Sequence, residues 1–346
     1  MSFDLNKIVR KNIAKLKAYS SARDEFEEAT ADMIFLDANE NPFQSGVNRY
    51  PDPKQQSVKE LLSELKGAPT KQILLGNGSD EVLDLIFRAF CEPKVDNVVF
   101  LPPTYGMYGV LAALNNIEIK EVLLSKNFDI RVKETLEIVT PESKIIFLCS
   151  PNNPSGNAFS VEKTKEIVEG FEGLVVIDEA YIDFSGEESW LNKLAMYPNL
   201  IIIQTLSKAF GMAGIRLGIC YASEGIIEVL NRIKPPYNVN ELTQQRAKER
   251  LLKFDDVQHE IRTILKERTK LEKSLENVPF VSKIYPSDAN FVLVKVDDAN
   301  IRYNQLLEKG IVIRNRTTQV LCENTLRLTI GTEEENAKLI EVLQSI

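Results

Sequence analysis

The chain has one histidine, His259, in 346 residues. It sits in the charged run Asp-Asp-Val-Gln-His-Glu, which reads as a solvated helix face. A histidine-based metal site or a Ser-His triad is therefore not expected, and proton transfer falls to Lys, Tyr, Asp or Glu. Cysteine is scarce as well. Cys91, Cys149, Cys220 and Cys322 share no CxxC spacing, and three of them adjoin or sit in apolar runs. They read as reduced, mostly buried thiols of a cytoplasmic protein. Positive charge is in deficit, with 42 Lys and Arg against 50 Asp and Glu. A net charge of −8 argues against a nucleic-acid partner but leaves room for a local basic pocket. No uninterrupted apolar run approaches a membrane span, and the N-terminus lacks the apolar core of a signal peptide, so no membrane partner is expected.

What remains is an ordinary globular composition, 44% hydrophobic and 27% charged, long enough for about two domains. Residues 4–18 carry Ile8, Val9, Ile13 and Leu16 at helical spacing, which predicts a short amphipathic helix, an arm of the kind that packs on a partner subunit. Apolar strands are expected at 73–75, 98–101, 117–124, 144–149, 174–178 and 200–204. Helices alternate with them, as in a mostly parallel sheet covered on both faces. Tyr105 and Tyr108 are expected to open the helix after the second strand. Composition changes after Arg232. A linker at 234–240 leads into a long, charged helix over 241–277, broken at most once. Short strands follow at 291–296, 311–314 and 326–330, with helices near 300–309 and 333–345. The expected fold is thus α/β, with a large sheet domain over 46–232, a smaller α+β domain over 233–346, and residues 1–45 as an arm that joins part of the smaller domain.

The stretch 205–218, Thr-Leu-Ser-Lys-Ala-Phe-Gly-Met-Ala-Gly-Ile-Arg-Leu-Gly, carries the chemistry. It places Lys208 among small residues after an apolar strand, with Arg216 eight residues on. A desolvated lysine can lose its proton and attack a carbonyl to form a Schiff base. An arginine can clamp a phosphate with paired hydrogen bonds. Together they suit an aldehyde cofactor with a phosphate, pyridoxal phosphate. A surface lysine in a glycine-rich turn is the alternative, and this stretch alone does not decide between them.

Position decides more. In parallel sheets ligands gather at the carboxyl ends of strands. Asn153, Asp178, Tyr181 and Lys208 all lie there. So does the turn Gly76-Asn-Gly78, which leads through Ser79, read as the N-cap, and Asp80 into a helix; such a turn is an anion site. A pyridoxal enzyme needs a buried carboxylate beside the ring nitrogen, and Asp178 ends an all-apolar strand. Tyr181 and Asn153 suit the phenolic oxygen, and Tyr105 a stacking position. Ser79, Thr205, Ser207 and Arg216 suit the phosphate, and Gly78 and Asp80 complete the cofactor-binding set.

Thr205-Leu-Ser-Lys-Ala-Phe-Gly-Met-Ala-Gly214 resembles the lysine signature of the class II pyridoxal-phosphate aminotransferases, fold type I. The resemblance runs over nearly the whole chain and is strongest to the histidinol-phosphate aminotransferase branch. Tyr19-Ser-Ser-Ala-Arg23, Asn39-Glu-Asn-Pro42, Arg49-Tyr-Pro-Asp52, Gly76-Asn-Gly-Ser-Asp-Glu81, Pro151-Asn-Asn-Pro-Ser-Gly156, Val176-Ile-Asp-Glu-Ala-Tyr181, Pro236-Tyr-Asn-Val-Asn240 and Leu326-Arg-Leu-Thr-Ile-Gly331 carry it in order and spacing. Ser155 stands where many relatives have Thr. The resemblance implies that Lys208, Asp178 and Tyr181 are catalytic and that Lys208 carries the cofactor. It implies a homodimer with shared sites, in which Tyr50 reaches the cofactor phosphate of the other subunit. Arg327 then takes the substrate carboxylate or phosphate, Arg314 and Tyr19 help hold the substrate phosphate, and Asn39 joins the substrate site. Arg316 and residues 317–324 follow no recognised pattern, so the resemblance assigns them no role. The implied reaction transfers the amino group of L-histidinol phosphate to 2-oxoglutarate in histidine biosynthesis. A threonine-phosphate decarboxylase, or an aromatic or aspartate aminotransferase, would share every cofactor residue.

Overall fold

The computed structural model describes residues 3–17 and 34–346. A seven-stranded sheet forms from β1 (Ile73–Asn77), β2 (Asn97–Phe100), β3 (Glu118–Glu121), β4 (Ser143–Cys149), β5 (Leu174–Asp178), β6 (Leu200–Thr205) and β7 (Leu217–Ala222), in the order β1-β7-β6-β5-β4-β2-β3. The strands β3, β2, β4, β5 and β6 are parallel, while β7 runs antiparallel to both β6 and β1. The central strands carry unbroken apolar runs because the two-residue period feeds two cores. Ile145, Phe147 and Cys149 of β4 enter the core on one face, and Ile146 and Leu148 enter the other. Leu174 and Val176 of β5, with Ile201 and Ile203 of β6, follow the first set; Val175, Ile177, Leu200 and Ile202 follow the second.

A second sheet, β10-β11-β9-β8, is wholly antiparallel, from β8 (Val281–Ile284), β9 (Phe291–Val296), β10 (Arg314–Asn315) and β11 (Thr325–Thr329). It has its own apolar core, which Leu271 and Leu275 of the helix Phe254–Leu275 join, while Phe254 and Ile261 of the same helix pack on the large sheet. The charged helix predicted over 241–277 is two helices, Glu241–Leu251 and Phe254–Leu275, and His259 is exposed on the second.

Several expectations are corrected. The single N-terminal helix is two one-turn helices, Leu5–Ile8 and Lys11–Ala14, separated where Val9 is extended. This arm docks on its own chain. Val9 and Ile13 enter the large-sheet core, Arg10 N–H donates to Ala89 O (3.1 Å), and Arg10 Nη1 donates to Arg88 O (2.9 Å). A free peptide of one turn is unstable, so tertiary contact decides its shape. The strand expected over 117–124 covers only Glu118–Glu121 at the sheet edge, and that expected over 311–314 shrinks to Arg314–Asn315. Val281–Ile284 is an additional strand whose exposed, polar Ser282 and Lys283 hid it. The helix expected to open at Tyr105 begins at Met107.

Candidate active site

At the carboxyl edge of the large sheet lies a cavity lined by ten of the candidate side chains: Ser79, Asp80, Tyr105, Asn153, Asp178, Tyr181, Thr205, Ser207, Lys208 and Arg216, together with Cys149 and Ala180. The first nine follow strands that point this way. Arg216 arrives by a different route. It precedes β7, which runs in reverse, and the register Thr205↔Gly218 and Asn77↔Leu217 sets the start of β7 beside the ends of its neighbours.

The anion turn depends on two glycines. Gly78 has φ +78°, and a Cβ there would lie 2.6 Å from Arg216 Nη2. Gly218 lies so close to the turn that a Cβ would meet Ser79 N at 2.2 Å. Gly78 N–H donates to Arg216 O (3.0 Å), holding Arg216 at φ +56°, a strained backbone for a side chain of this size. The sequence predicts Ser79 as the cap of the following helix. Instead Gly78 is the N-cap and no side chain bonds the first turn of Ser79–Phe90, so the leading N–H groups stay open for an anion. Asn238 braces the turn from outside, donating to Leu75 O (3.0 Å) and Glu81 Oε2 (2.8 Å), while Glu81 accepts from Asn77 N–H. Arg216 Nη2 stands 3.7 Å from Asp80 Oδ2, and Tyr105 Oη donates to Asp80 Oδ1 (3.1 Å). Thr205 Oγ1 contacts Leu217 O (3.1 Å) and accepts from Ser207 N–H, so it orients the loop as well as lining the cavity.

Asp178 is buried at the end of β5. Its carboxylate accepts from Tyr108 Oη (2.9 Å) and Ala180 N–H (3.1 Å). Burial pushes its pKa up to about 6, against the pull of those two donors and of Lys208. Tyr108 itself is fully buried, and its hydroxyl pKa is raised well above the ordinary value, first by burial and then by Asp178. From the sequence alone Tyr108 reads as a helix residue; its spacing from Tyr105 is the available signal. Lys208 stands at the open side of the cavity with Nζ 5.5 Å from the centre of the Tyr181 ring. Desolvation, then Arg327 and Arg216, lowers its pKa, partly opposed by Asp178. Tyr181 is buried edge-on against Phe291 of β9, 5.2 Å between centres, and burial raises its pKa.

The smaller sheet closes the site. Arg327 of β11 donates from Nη1 to Asn153 Oδ1 (2.5 Å) and lies 5.0 Å from the Phe291 ring centre. That leaves the Asn153 NH2 group to donate into the cavity. Arg314 is paired with Arg327 across β10 and β11 and is exposed. Tyr50 and Asn39 are not brought to this cavity. They line a separate groove of about 470 Å³ with Glu40, Arg49 and residues 240–242. Glu40 fixes that segment, accepting from Tyr50 N–H (2.6 Å) and Arg49 Nη1 (2.7 Å), and Tyr50 stacks on Tyr237. Tyr19 lies outside the described residues.

Residues 18–343 match the family model for aminotransferase class I and II. The chain belongs to that family. It is 66% identical over 344 residues to the histidinol-phosphate aminotransferase of Flavobacterium johnsoniae, covering 99% of each chain. Among solved structures, the histidinol-phosphate aminotransferase of Clostridium acetobutylicum has a similar fold, with TM-score 0.80 and 24% identity over 87% of this chain and 91% of that one. The Sinorhizobium meliloti enzyme, solved with pyridoxal 5′-phosphate, gives TM-score 0.79 and 23% identity over 86% of this chain and 83% of that one. Pyridoxal phosphate is the cofactor of this aminotransferase, and the cavity fits it. The uncapped helix start and Arg216 suit the phosphate, and Gly78 and Gly218 leave it room. Asp178, a buried carboxylate with only neutral donors on its oxygens, suits a protonated ring nitrogen.

Proposed function

We propose that this chain is a histidinol-phosphate aminotransferase, moving the amino group of L-histidinol phosphate to 2-oxoglutarate. The observation that carries the reaction type is the meeting of Lys208, its pKa lowered, with buried Asp178 and an anion-binding turn in one cavity. The substrate reading is supported by 66% identity across nearly the whole of both chains. When bound, the cofactor supplies an electron sink that stabilises negative charge at the donor's Cα. The N–H groups of Ser79 and Asp80, with Ser207 and Arg216, would hold its phosphate, while Gly78 leaves it room and Thr205 orients Ser207. Asp178 would keep the proton on its ring nitrogen. Tyr181 and the Asn153 NH2 group would hold its phenolic oxygen, and Tyr105 would cover its ring.

Lys208 has two tasks. Its amine would hold the cofactor, which requires the neutral form that desolvation and the neighbouring arginines favour. When the donor's amine takes its place, Nζ would be free to take the proton from the donor's Cα and pass it on, and in the return half-reaction to deliver one to the acceptor's Cα. Arg327 and Arg314 would orient the donor and acceptor through their anionic groups.

A homodimer with shared sites belongs to the same reading. Val47 and Leu242 of the Tyr50 groove are exposed large apolar residues, as are Ile34, Leu36 and Phe43 of the segment that leads to it, and exposed apolar surface of that kind is suited to a partner. Tyr50, absent from its own chain's cavity, would serve the partner's. We assign residues 46–232 to the cofactor domain, 233–346 to the small domain and 1–45 to the arm and part of the small domain. Four free, buried cysteines support a reducing compartment, the cytoplasm.

The test is glutamate formation by the purified protein from histidinol phosphate and 2-oxoglutarate, beside CO2 release from threonine phosphate alone. Efficient transamination with no decarboxylation is expected. Decarboxylation without transamination would replace this reading.

A further inference from the structure

The small sheet gathers three guanidinium groups on one face. Arg314 pairs with Arg327 across β10 and β11, and Arg316 N–H donates to Thr325 O (2.9 Å), continuing the same register. Cross-strand partners share a face, and so do residues two apart on one strand. Arg314, Arg316 and Arg327 therefore stand together, on the side from which Arg327 reaches Asn153. Arg316 is half-buried, and its Nε, like that of Arg327, is enclosed with no hydrogen-bond partner. No carboxylate is among the described groups that act most strongly on Arg316 or Arg327. Burial, then Arg327 and Arg314, lowers the Arg316 pKa to about 10, which leaves it charged at neutral pH. Three like charges, two with enclosed and unused donors, are an unfavourable arrangement until an anion arrives. A monocarboxylate offsets one of them. A phosphate monoester carries up to two charges and three acceptor oxygens, and suits the set better.

We propose that Arg316 is a third guanidinium contact for the phosphate of the amino donor, and so sets the preference for phosphorylated over purely carboxylate ligands. This rests on the reading of the donor as a phosphate ester. The family resemblance gives Arg314 and Arg327 a part in substrate binding; it gives Arg316 none.

The test compares the cofactor-loaded wild type with Arg316→Gln and Arg316→Lys. The probes are histidinol phosphate, unphosphorylated histidinol, glutamate, and inorganic phosphate as a competitor. Arg316→Gln should lower kcat/KM for histidinol phosphate by about tenfold to a hundredfold, the range of one charge-assisted hydrogen bond. Inorganic phosphate should inhibit it correspondingly less, while histidinol and glutamate change by less than about threefold on the same scale. Arg316→Lys should recover part of the loss, since it keeps the charge but not the planar fork. Equal losses for all donors would make Arg316 a mere support of Arg327 and overturn the proposal; so would no loss for any. If the wild type does not prefer histidinol phosphate to histidinol, the substrate reading fails by itself. Weakened inhibition by inorganic phosphate in Arg316→Gln would then still uphold the anion contact, and unchanged inhibition would sink it. Should Arg316→Gln not fold, Arg316→Lys decides: a loss confined to the phosphate ligands supports the contact, and a uniform loss or none refutes it.

Discussion

Asp178 should make the cofactor-free protein less stable as pH rises, and Asp178→Asn should remove its share of that dependence. The carboxyl is buried, and its pKa stands at about 6 against an ordinary 3.8. A folded pKa above the unfolded one means that the folded chain holds a proton the unfolded chain has released. The penalty for ionising Asp178 therefore begins as pH passes the unfolded value and is complete above the folded value. The difference between 3.8 and about 6 corresponds to about 3 kcal/mol. About 2 kcal/mol of it falls between pH 4.5 and pH 8. Glu179 is also buried with its pKa raised to about 6, so the wild-type curve alone reports both groups, and the variant must be subtracted from it. The amide that replaces the carboxyl in Asp178→Asn also leaves one N–H without an assigned acceptor, a loss of about 1–3 kcal/mol that does not vary with pH. The assay is urea unfolding of apoprotein, wild type and Asp178→Asn, at intervals from pH 4.5 to pH 8. The variant should be the less stable at pH 4.5 and should gain about 2 kcal/mol relative to wild type by pH 8, while the cofactor-loaded variant loses most turnover. A stability difference that stays flat across this range would show that burial does not hold a proton on Asp178, and the argument for its pairing with a ring nitrogen would lose its energetic basis.

Two further outcomes test the cradle and the shared site. Gly78→Ala should push the Arg216 guanidinium aside, because the new Cβ lies 2.6 Å from Nη2, and should cost about 1–3 kcal/mol of backbone strain, since φ +78° with ψ +165° is a conformation essentially confined to glycine. Equilibrium dialysis should read a loss in cofactor affinity of about tenfold or more, the value of one charge-assisted bond; unchanged affinity would remove Arg216 from the phosphate site. Mixing inactive Lys208→Ala with impaired Tyr50→Ala and refolding them together should restore roughly a quarter of all sites, those in mixed dimers where Lys208 and the partner-derived Tyr50 are both intact. Activity that only averages the two parents would mean that Tyr50 serves its own chain or no site at all.

The chemistry was legible in the sequence where strand period and turn residues act locally. An all-apolar strand that ends in Asp178, another that leads to Lys208, and a Gly-Asn-Gly turn into a helix each declare a strand end. A parallel sheet brings strand ends to one edge whatever the long-range details. The tertiary structure decided what depends on register and direction. Arg216 reaches the cavity because β7 runs against its neighbours, a reversal that no local pattern encodes. Tyr108 holds Asp178 from a helix some seventy residues earlier, and Asn238 braces the anion turn from beyond the whole sheet. Ser79 has the residue type of an N-cap, yet positive φ at Gly78 moves the cap back by one residue. Arg316 follows no motif; only its pairing with Thr325 sets it on the same face as Arg314 and Arg327. The physical reason is common to all of them. Backbone propensity and side-chain period act over a few residues, whereas burial and charge act between whichever groups the folded chain brings together, however far apart they lie in sequence.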